Sequence, residues 1–466
     1  MKYFFILFTF LSFFGYSQDS VVTLKQCIDY AVQKNITVKQ QMISTKIQKN
    51  NYNQSKYDLL PSVNAGSDYN LSFGRAVDPY TNEFSETNAK SANLYLNSSL
   101  ALFEGFRKHH TIHKSRLNYR ASLQDTEKTK NDIALNIATA YLQILFNKEL
   151  LAVAKKQLAL TKKQTVRVKQ MVEAGRSAES DLTDILAQAS NESYNVVTAE
   201  NNLRDSKLLL LQLMDLKTSD KFAVIAPDSD STEINLEYTA DELFQLSKGL
   251  PELKAAKYRE SAARKDISIA RSGYYPQFNV AFNIATGFSD ARQLYQYGDS
   301  ISAPIGYVGS NGDIVYSVMP TYNAVNYPAM DQLKDNRSQS LSFRLSIPIF
   351  NQFRVRTRVK NAELYAEQTH LSLKQTENQL YKEIQTALAK EKSAGARYLS
   401  SQKAVLANRK AFKNSENRFE LGLIDSYLYN QAKTQLTNSE SDLLQSKYDL
   451  LFRKKILDFY AGKPLY

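Results

Sequence analysis

The stretch Leu100-Ala-Leu-Phe-Glu-Gly-Phe-Arg107 decides how the rest of the chain is read. Before it, apolar and polar residues alternate, the period of a strand with one buried face. After Phe106 neither Gly nor Pro occurs until Gly175, so about 68 residues can form one helix of roughly 100 Å. The same change of period returns at Ser346-Ile-Pro-Ile-Phe-Asn-Gln-Phe-Arg354, where Phe350, Phe353 and Arg354 lie 247 positions beyond Phe103, Phe106 and Arg107. Val172-Glu-Ala-Gly175 recurs as Phe419-Glu-Leu-Gly422, again at 247. Leu59-Leu-Pro61-Ser-Val-Asn64 recurs as Tyr274-Tyr-Pro276-Gln-Phe-Asn279, but at 215, so the second copy holds 32 extra residues between its Pro and its Phe. The chain is a duplication. The extra residues fall near 290–338, a stretch rich in Gly, Ser, Asn, Tyr and Pro that reads as a long loop.

Working outward, each copy reads helix, strand, loop, strand, long helix, turn, helix. Val63, Ala65, Tyr69 and Leu71 alternate with Asn64, Asp68 and Asn70, and Leu94, Leu96 and Leu100 with Asn93, Asn97 and Ser99. In the second copy Phe278, Val280, Phe282 and Ile284 alternate with Asn279 and Asn283, and Leu341, Phe343 and Leu345 with Ser340, Ser342 and Arg344. The expected strands are 62–74, 92–103, 277–288 and 339–350, entered at Pro61 and Pro276 and left at Phe103 and Phe350. Strands of about ten residues cross a bilayer when tilted, but four cannot close a barrel. An open sheet edge is forbidden in lipid, so several chains must share one barrel. A soluble sandwich also alternates; two separated hairpins on very long helices do not fit one.

The expected helices are 24–57, 106–173 and 180–214 in the first copy (18–220) and 241–272, 353–420 and 426–460 in the second (241–466), joined by a linker at 221–240. Heptads run through Ile137, Ile144, Leu151 and Leu158, through Leu182, Ala189, Val196, Leu203 and Leu210, and through Leu436, Leu443, Leu450 and Leu457. Gly175 and Gly422 turn the chain between paired helices. Each return helix covers only half of its long partner, and the helix preceding the first strand has the length of the missing half. An elongated coiled-coil scaffold explains the heptads but not the hairpins.

Composition closes off other classes. One Cys among 466 residues excludes a disulfide framework, and an excess of twelve positive charges spread along the chain gives no concentrated nucleic-acid patch. Residues 1–17, with Lys2, an apolar run and Gly15-Tyr16-Ser17, read as a secretory signal peptide. No phosphate-binding Gly loop or nucleophile–base pair is present, and no enzyme or cofactor is expected. His109 and His113 lie four apart on one helical face, a spacing that can bind a metal, but a polar strand-to-helix junction suits them better.

In the ordered combination of duplication, Pro entries, Leu102-Phe-Glu-Gly-Phe106 with Ile349-Phe-Asn-Gln-Phe353, and Glu173-Ala-Gly175 with Glu420-Leu-Gly422, the mature chain resembles the TolC family of outer-membrane efflux proteins. Leu71-Ser-Phe-Gly-Arg75-Ala-Val-Asp-Pro79 resembles the subtype common in Bacteroidota. The resemblance implies a mainly α fold with β, in which a homotrimer pools four strands per chain into one outer-membrane barrel on a periplasmic helical tunnel. It implies a passive exit channel in outer-membrane lipid, a periplasmic adaptor and an inner-membrane RND or ABC transporter as partners. Protein secretion and metal efflux are the alternative cargoes. It places adaptor docking at the helical tips, at Gly175, Arg176, Gly422 and Leu423, and an aperture of carboxylates beside them. The first copy carries Asp181 and Asp184 six and nine residues after its turn glycine. The second carries Leu428 and Gln431 there, with Asp425 its nearest carboxylate. Asp181 is also well placed simply to cap the return helix.

Overall fold

The computed structural model describes residues 21–77, 82, 84–85, 89–217, 223–225, 238–310 and 312–465. The expected signal peptide, Pro79 and most of the 221–240 linker lie outside the described residues. The first copy runs β1 (Val21–Val22), α1 (Leu24–Lys34), α2 (Ile36–Tyr57), β2 (Ser62–Ser72), β3 (Ala76–Val77), β4 (Phe84–Ser85), β5 (Ala89–Glu104), α3 (Arg107–Glu173) and α4 (Glu179–Leu213). After β6 (Ala223–Val224) the second copy runs α5 (Ala240–Ser247), α6 (Pro251–Arg271), β7 (Gln277–Ser289), β8 (Gln293–Val308), β9 (Asp313–Asn326), α7 (Ala329–Asp335), β10 (Ser338–Ser346), α8 (Arg354–Glu420) and α9 (Ser426–Tyr460).

The two compact units are not the two sequence repeats, because each draws on both copies. One, residues 50–115 with 262–366, holds the sheet; the other, 1–49 with 116–261 and 367–466, holds most of the helices. In the sheet unit the strand order is β10-β7-β5-β2, antiparallel throughout, so the hairpins of the two copies meet through β5 and β7. Strands β2 and β10 are left as edges.

In the helical unit α3 carries the main core. Ile137, Ala140, Tyr141 and Ile144 pack with Cys27, Ile28 and Ala31 of α1, Leu210 and Leu211 of α4, and Val224 of β6. One window of α3 is long and apolar enough to cross a membrane by composition, but this stretch is packed against the other helices of the unit. Burial raises the Cys27 thiol to about 11, which leaves it protonated and inert at neutral pH. The Tyr141 hydroxyl lies 3.0 Å from the Val22 carbonyl and 2.5 Å from that of Ile225, and accepts from the Ile225 N–H at 3.1 Å. It fastens the parallel β1–β6 ribbon to α3.

Four expectations change. The helix expected over 24–57 is broken at Asn35, whose side-chain oxygen accepts from the Thr37 and Val38 N–H groups and so caps α2. The helix expected over 241–272 is broken before Pro251, which starts α6 where a missing N–H costs nothing. The strand expected over 339–350 ends at Ser346, because Pro348 cannot donate to a ladder. The expected loop at 290–338 is instead the β8–β9 hairpin with α7, so the chain has more than four strands. Its turn and bulge residues gave it a loop-like composition, while Tyr, Val and Ile between them supply the β-propensity.

Both breaks are fastened alike. The Asn35 amide donates to the Leu213 carbonyl at 3.0 Å and the Ser247 hydroxyl to that of Tyr460 at 2.8 Å, carbonyls 247 positions apart. Tyr141→Phe leaves the ribbon's backbone groups without their partner and is expected to cost about 1–3 kcal/mol. Thermal melts in detergent check this; an unchanged Tm would mean that the ribbon adds nothing to the fold.

Candidate functional site

The ladder register sorts the sheet into two chemically opposite faces. Val63, Ala65, Tyr69 and Leu71 of β2 share a face with Leu94, Leu96 and Leu100 of β5, Val280 and Phe282 of β7, and Leu341, Phe343 and Leu345 of β10. On the other face Asn64, Asn97, Asn283 and Ser340 stand side by side in one row across all four strands. Asp68 and Arg344 also belong to this polar face. Val63, Phe343 and Leu345 are more than 60% exposed, and Tyr69, Leu71 and Leu341 more than half. A contiguous apolar surface of this extent is not left in water; hydrocarbon is the solvent that suits it.

The junctions beneath the sheet are built alike in both copies. Gly105 and Phe106 have φ of 59° and 63°, and Gln352 and Phe353 have 55° and 58°. Two successive left-handed residues turn each strand into its long helix. A Cβ at Gly105 would stand 2.7 Å from the Ser272 carbonyl oxygen and from Tyr275 Cβ, so only glycine fits. Each turn is braced by an edge-to-face pair, Phe103–Phe106 at 5.3 Å and Phe350–Phe353 at 5.5 Å. Pro61 and Pro276 immediately precede β2 and β7. His109 and His113 meet edge-to-face with ring centroids 4.7 Å apart, and no group of three or more metal-ligating side chains exists among the described residues.

At the far end of the long helices, Gly175 and Gly422 (φ 68° and 72°) sit in matching Schellman turns. Arg176 and Leu423 donate their N–H groups to the Met171 and Arg418 carbonyls at 2.8 and 2.9 Å. Val168, Ile185, Phe419 and Tyr429 form a small core that ties all four helices together there. The three candidate aspartates have separate jobs. Asp181 accepts from the Ser177 hydroxyl at 2.5 Å, from the Ala178 N–H at 3.3 Å and from the Ser426 hydroxyl at 3.4 Å, so it caps α4 and tethers it to α9. Asp425 is the N-cap of α9, accepting from the Leu428 N–H at 2.9 Å. Asp184 is exposed.

One constellation went unread in the sequence. Lys433 of α9, Glu192 of α4 and Thr161 of α3 are 2%, 5% and 1% exposed. The Lys433 ammonium donates to Glu192 at 3.0 Å and also hydrogen-bonds Thr161, whose hydroxyl meets the other Glu192 oxygen. Burial holds the Lys433 pKa below its ordinary value, opposed by Glu192. The signal was available: each residue lies three positions from a heptad apolar residue (Leu158, Ala189, Leu436), where a buried side chain is expected.

The outer membrane efflux protein model matches residues 27–215 and 245–463, most of both copies. The chain belongs to that family, the TolC family. It is 24% identical to outer membrane protein TolC of Escherichia coli (strain K12) over 415 residues, 86% of this chain and 74% of that one. It is 20% identical to outer membrane protein OprJ of Pseudomonas aeruginosa over 413 residues, 87% and 76%. The fold matches the CusC channel with a TM-score of 0.76 at 16% identity, covering 95% of this chain and 92% of that one. It matches VceC of Vibrio cholerae with 0.72 at 16%, covering 95% and 97%. The TolC-family chain is an outer-membrane efflux channel.

Two predictions follow from the buried charges. Lys433→Met strands the Glu192 carboxylate in the interior and is expected to cost about 3–5 kcal/mol, whereas Lys433→Met with Glu192→Leu restores most of it. A double variant no more stable than the single one in thermal melts would deny the pairing. Glu391 of α8 is also buried, its Oε2 has no hydrogen-bond partner among the described residues, and burial raises its pKa above the ordinary 4.5 despite nearby Lys454. An acid with a raised folded pKa costs stability as pH climbs from the unfolded value through the folded one. Glu391→Gln is therefore expected to raise Tm at pH 7.5, with the gain fading on acidification toward pH ~4. A gain that grows on acidification would refute this.

Proposed function

We propose that three copies pool their sheets into one twelve-stranded barrel and their helices into a periplasmic tunnel, forming the passive exit duct of a tripartite efflux system. The observation that carries this is the pair of edges, β2 and β10, on a sheet with a full lipid face. Each copy supplies four strands, fewer than any closed barrel needs, and twelve enclose a lumen wide enough for cargo. Antiparallel pairing of β10 with the next copy's β2 removes every edge at once.

In that assembly the row Asn64–Asn97–Asn283–Ser340 is repeated three times around the lumen. An uncharged amide belt hydrates many solutes and binds none tightly, which suits a conduit that leaves cargo selection to the pump. The chain has no phosphate-binding loop, so the energy comes from an inner-membrane transporter of the RND or ABC class, reached through a periplasmic adaptor. The exposed Leu421, Leu423 and Tyr427 at the second tip, with Arg176 at the first, give the adaptor an apolar surface rimmed by charge.

At the aperture, Asp184 is the gating candidate. Asp181 and Asp425 are already committed as caps within one copy. Three symmetry-related Asp184 carboxylates would favour cations. In planar bilayers Asp184→Asn is expected to reduce cation selectivity while Tm stays unchanged, and Asp181→Ala to cost about 1 kcal/mol of stability through the lost cap. Unaltered selectivity in Asp184→Asn would remove this residue from the gate. Deleting the gene should raise sensitivity to small toxic compounds; selective loss of an exported protein, or metal sensitivity alone, would reassign the cargo.

A further inference from the structure

Between β7 and β10 the second copy carries the β8–β9 hairpin, residues 293–326. This segment has five tyrosines and no Lys, Arg or Glu; Asp299 and Asp313 are its only charged residues in a chain of net charge +12. Tyr295 and Tyr297 pair with Ala324 and Tyr322, Pro304 with Tyr316, and Tyr307 with Ile314. All five tyrosines therefore share one face with Val318, and all five are more than half exposed. Tyrosine, serine, glycine and asparagine in this density make a contact surface of large area and small ordering cost.

The hairpin is also held in a fixed direction. Gln332 of α7, 1% exposed, donates to the Ser289 carbonyl at 2.9 Å and accepts from the Ser289 N–H at 3.0 Å, doing with a side chain what a neighbouring strand would do. The Asn336 amide donates to the Gly287 carbonyl at 2.7 Å, its oxygen meets the Arg292 guanidinium, and Arg292 lies 5.1 Å from the Tyr327 ring. A surface loop that only connected two strands would not require an anchored base.

Resting on the trimeric reading above, we propose that this hairpin is an inter-protomer arm whose tyrosine face is covered by the neighbouring copy at its β3–β4 lobe. Continuity selects the occupant. If β10 pairs with the next copy's β2, then Ser338 at the outer end of β10 comes beside Ser72 at the outer end of β2, where the chains continue into the arm and the lobe. The lobe presents Phe73 and Phe84, 75% and 68% exposed, with Arg75 4.8 Å from the Phe84 ring. A face of tyrosines meets a lobe presenting two exposed phenylalanines, and ring-to-ring contact suits both surfaces.

The test uses the full chain in its outer membrane, in a Cys27→Ser background. Tyr297→Cys with Phe73→Cys, and Tyr316→Cys with Phe84→Cys, are oxidised and run on denaturing gels. The proposal expects disulfide-linked dimers and trimers that need both cysteines. It also expects that replacing Tyr297, Tyr316 and Tyr322 with Ser lowers the temperature at which the trimer dissociates in SDS, with helix content unchanged. A trimer by native mass that gives no such links and dissociates at the same temperature overturns the arm and spares the duct. Links formed only to a different protein also overturn it. A monomer by native mass removes the duct reading, and the arm with it.

Discussion

A sheet with one apolar face and two unpaired edges cannot exist alone in a bilayer, and the rest of this chain is arranged around that constraint. Hydrocarbon offers no hydrogen bonds to the free N–H and C=O groups of β2 and β10, and each left unpaired costs several kcal/mol. Nor can the sheet retreat into water, where Phe343, Leu345 and their neighbours would be exposed. Sharing the sheet between copies resolves both problems. The junctions with left-handed Phe106 and Phe353 lead β5 into α3 and β10 into α8.

Duplication doubles each device and lets the copies diverge. Schellman turns at Gly175 and Gly422, carbonyl tethers at Leu213 and Tyr460 and edge-to-face phenylalanine braces recur in both halves. The differences carry the specialisation. Asp181 caps a helix in the first copy and reaches Ser426 in the second, while Lys433 crosses to Glu192 and Thr161. These polar links join the two hairpins of helices on the side of Gly175 and Gly422. Apolar packing alone would tolerate sliding; a buried ion pair has one low-energy register.

Much of the fold was legible because its signals are periodic and repeated. Period-two runs, unbroken heptads and an internal offset of 247 reinforce one another, and local and global patterns agree. The departures have local chemical causes. Asn35 and Pro251 break helices whose apolar pattern continues through them, and a cap or a missing donor outweighs periodicity there. The β8–β9 hairpin was hidden because Gly298, Pro304 and Gly306 near its bulges and Gly309 and Gly312 at its turn interrupt the alternation. At the tips, Asp181, Asp184 and Asp425 could be named from motif position, but their partners could not. Ser426 lies 245 positions from Asp181, and only the packing of the two copies brings them together.

One seam, β10 of one copy against β2 of the next, decides whether the copies share a barrel. Cysteines at Ser340 or Ser342, scanned against cysteines at Asn70 or Asp68 in a Cys27→Ser background, report on it directly in native outer membranes. The account predicts oxidation to a covalent ladder that ends at three chains, with both cysteines required. A product that stays monomeric at every pair, from protein whose native mass in detergent is one chain, would contradict it.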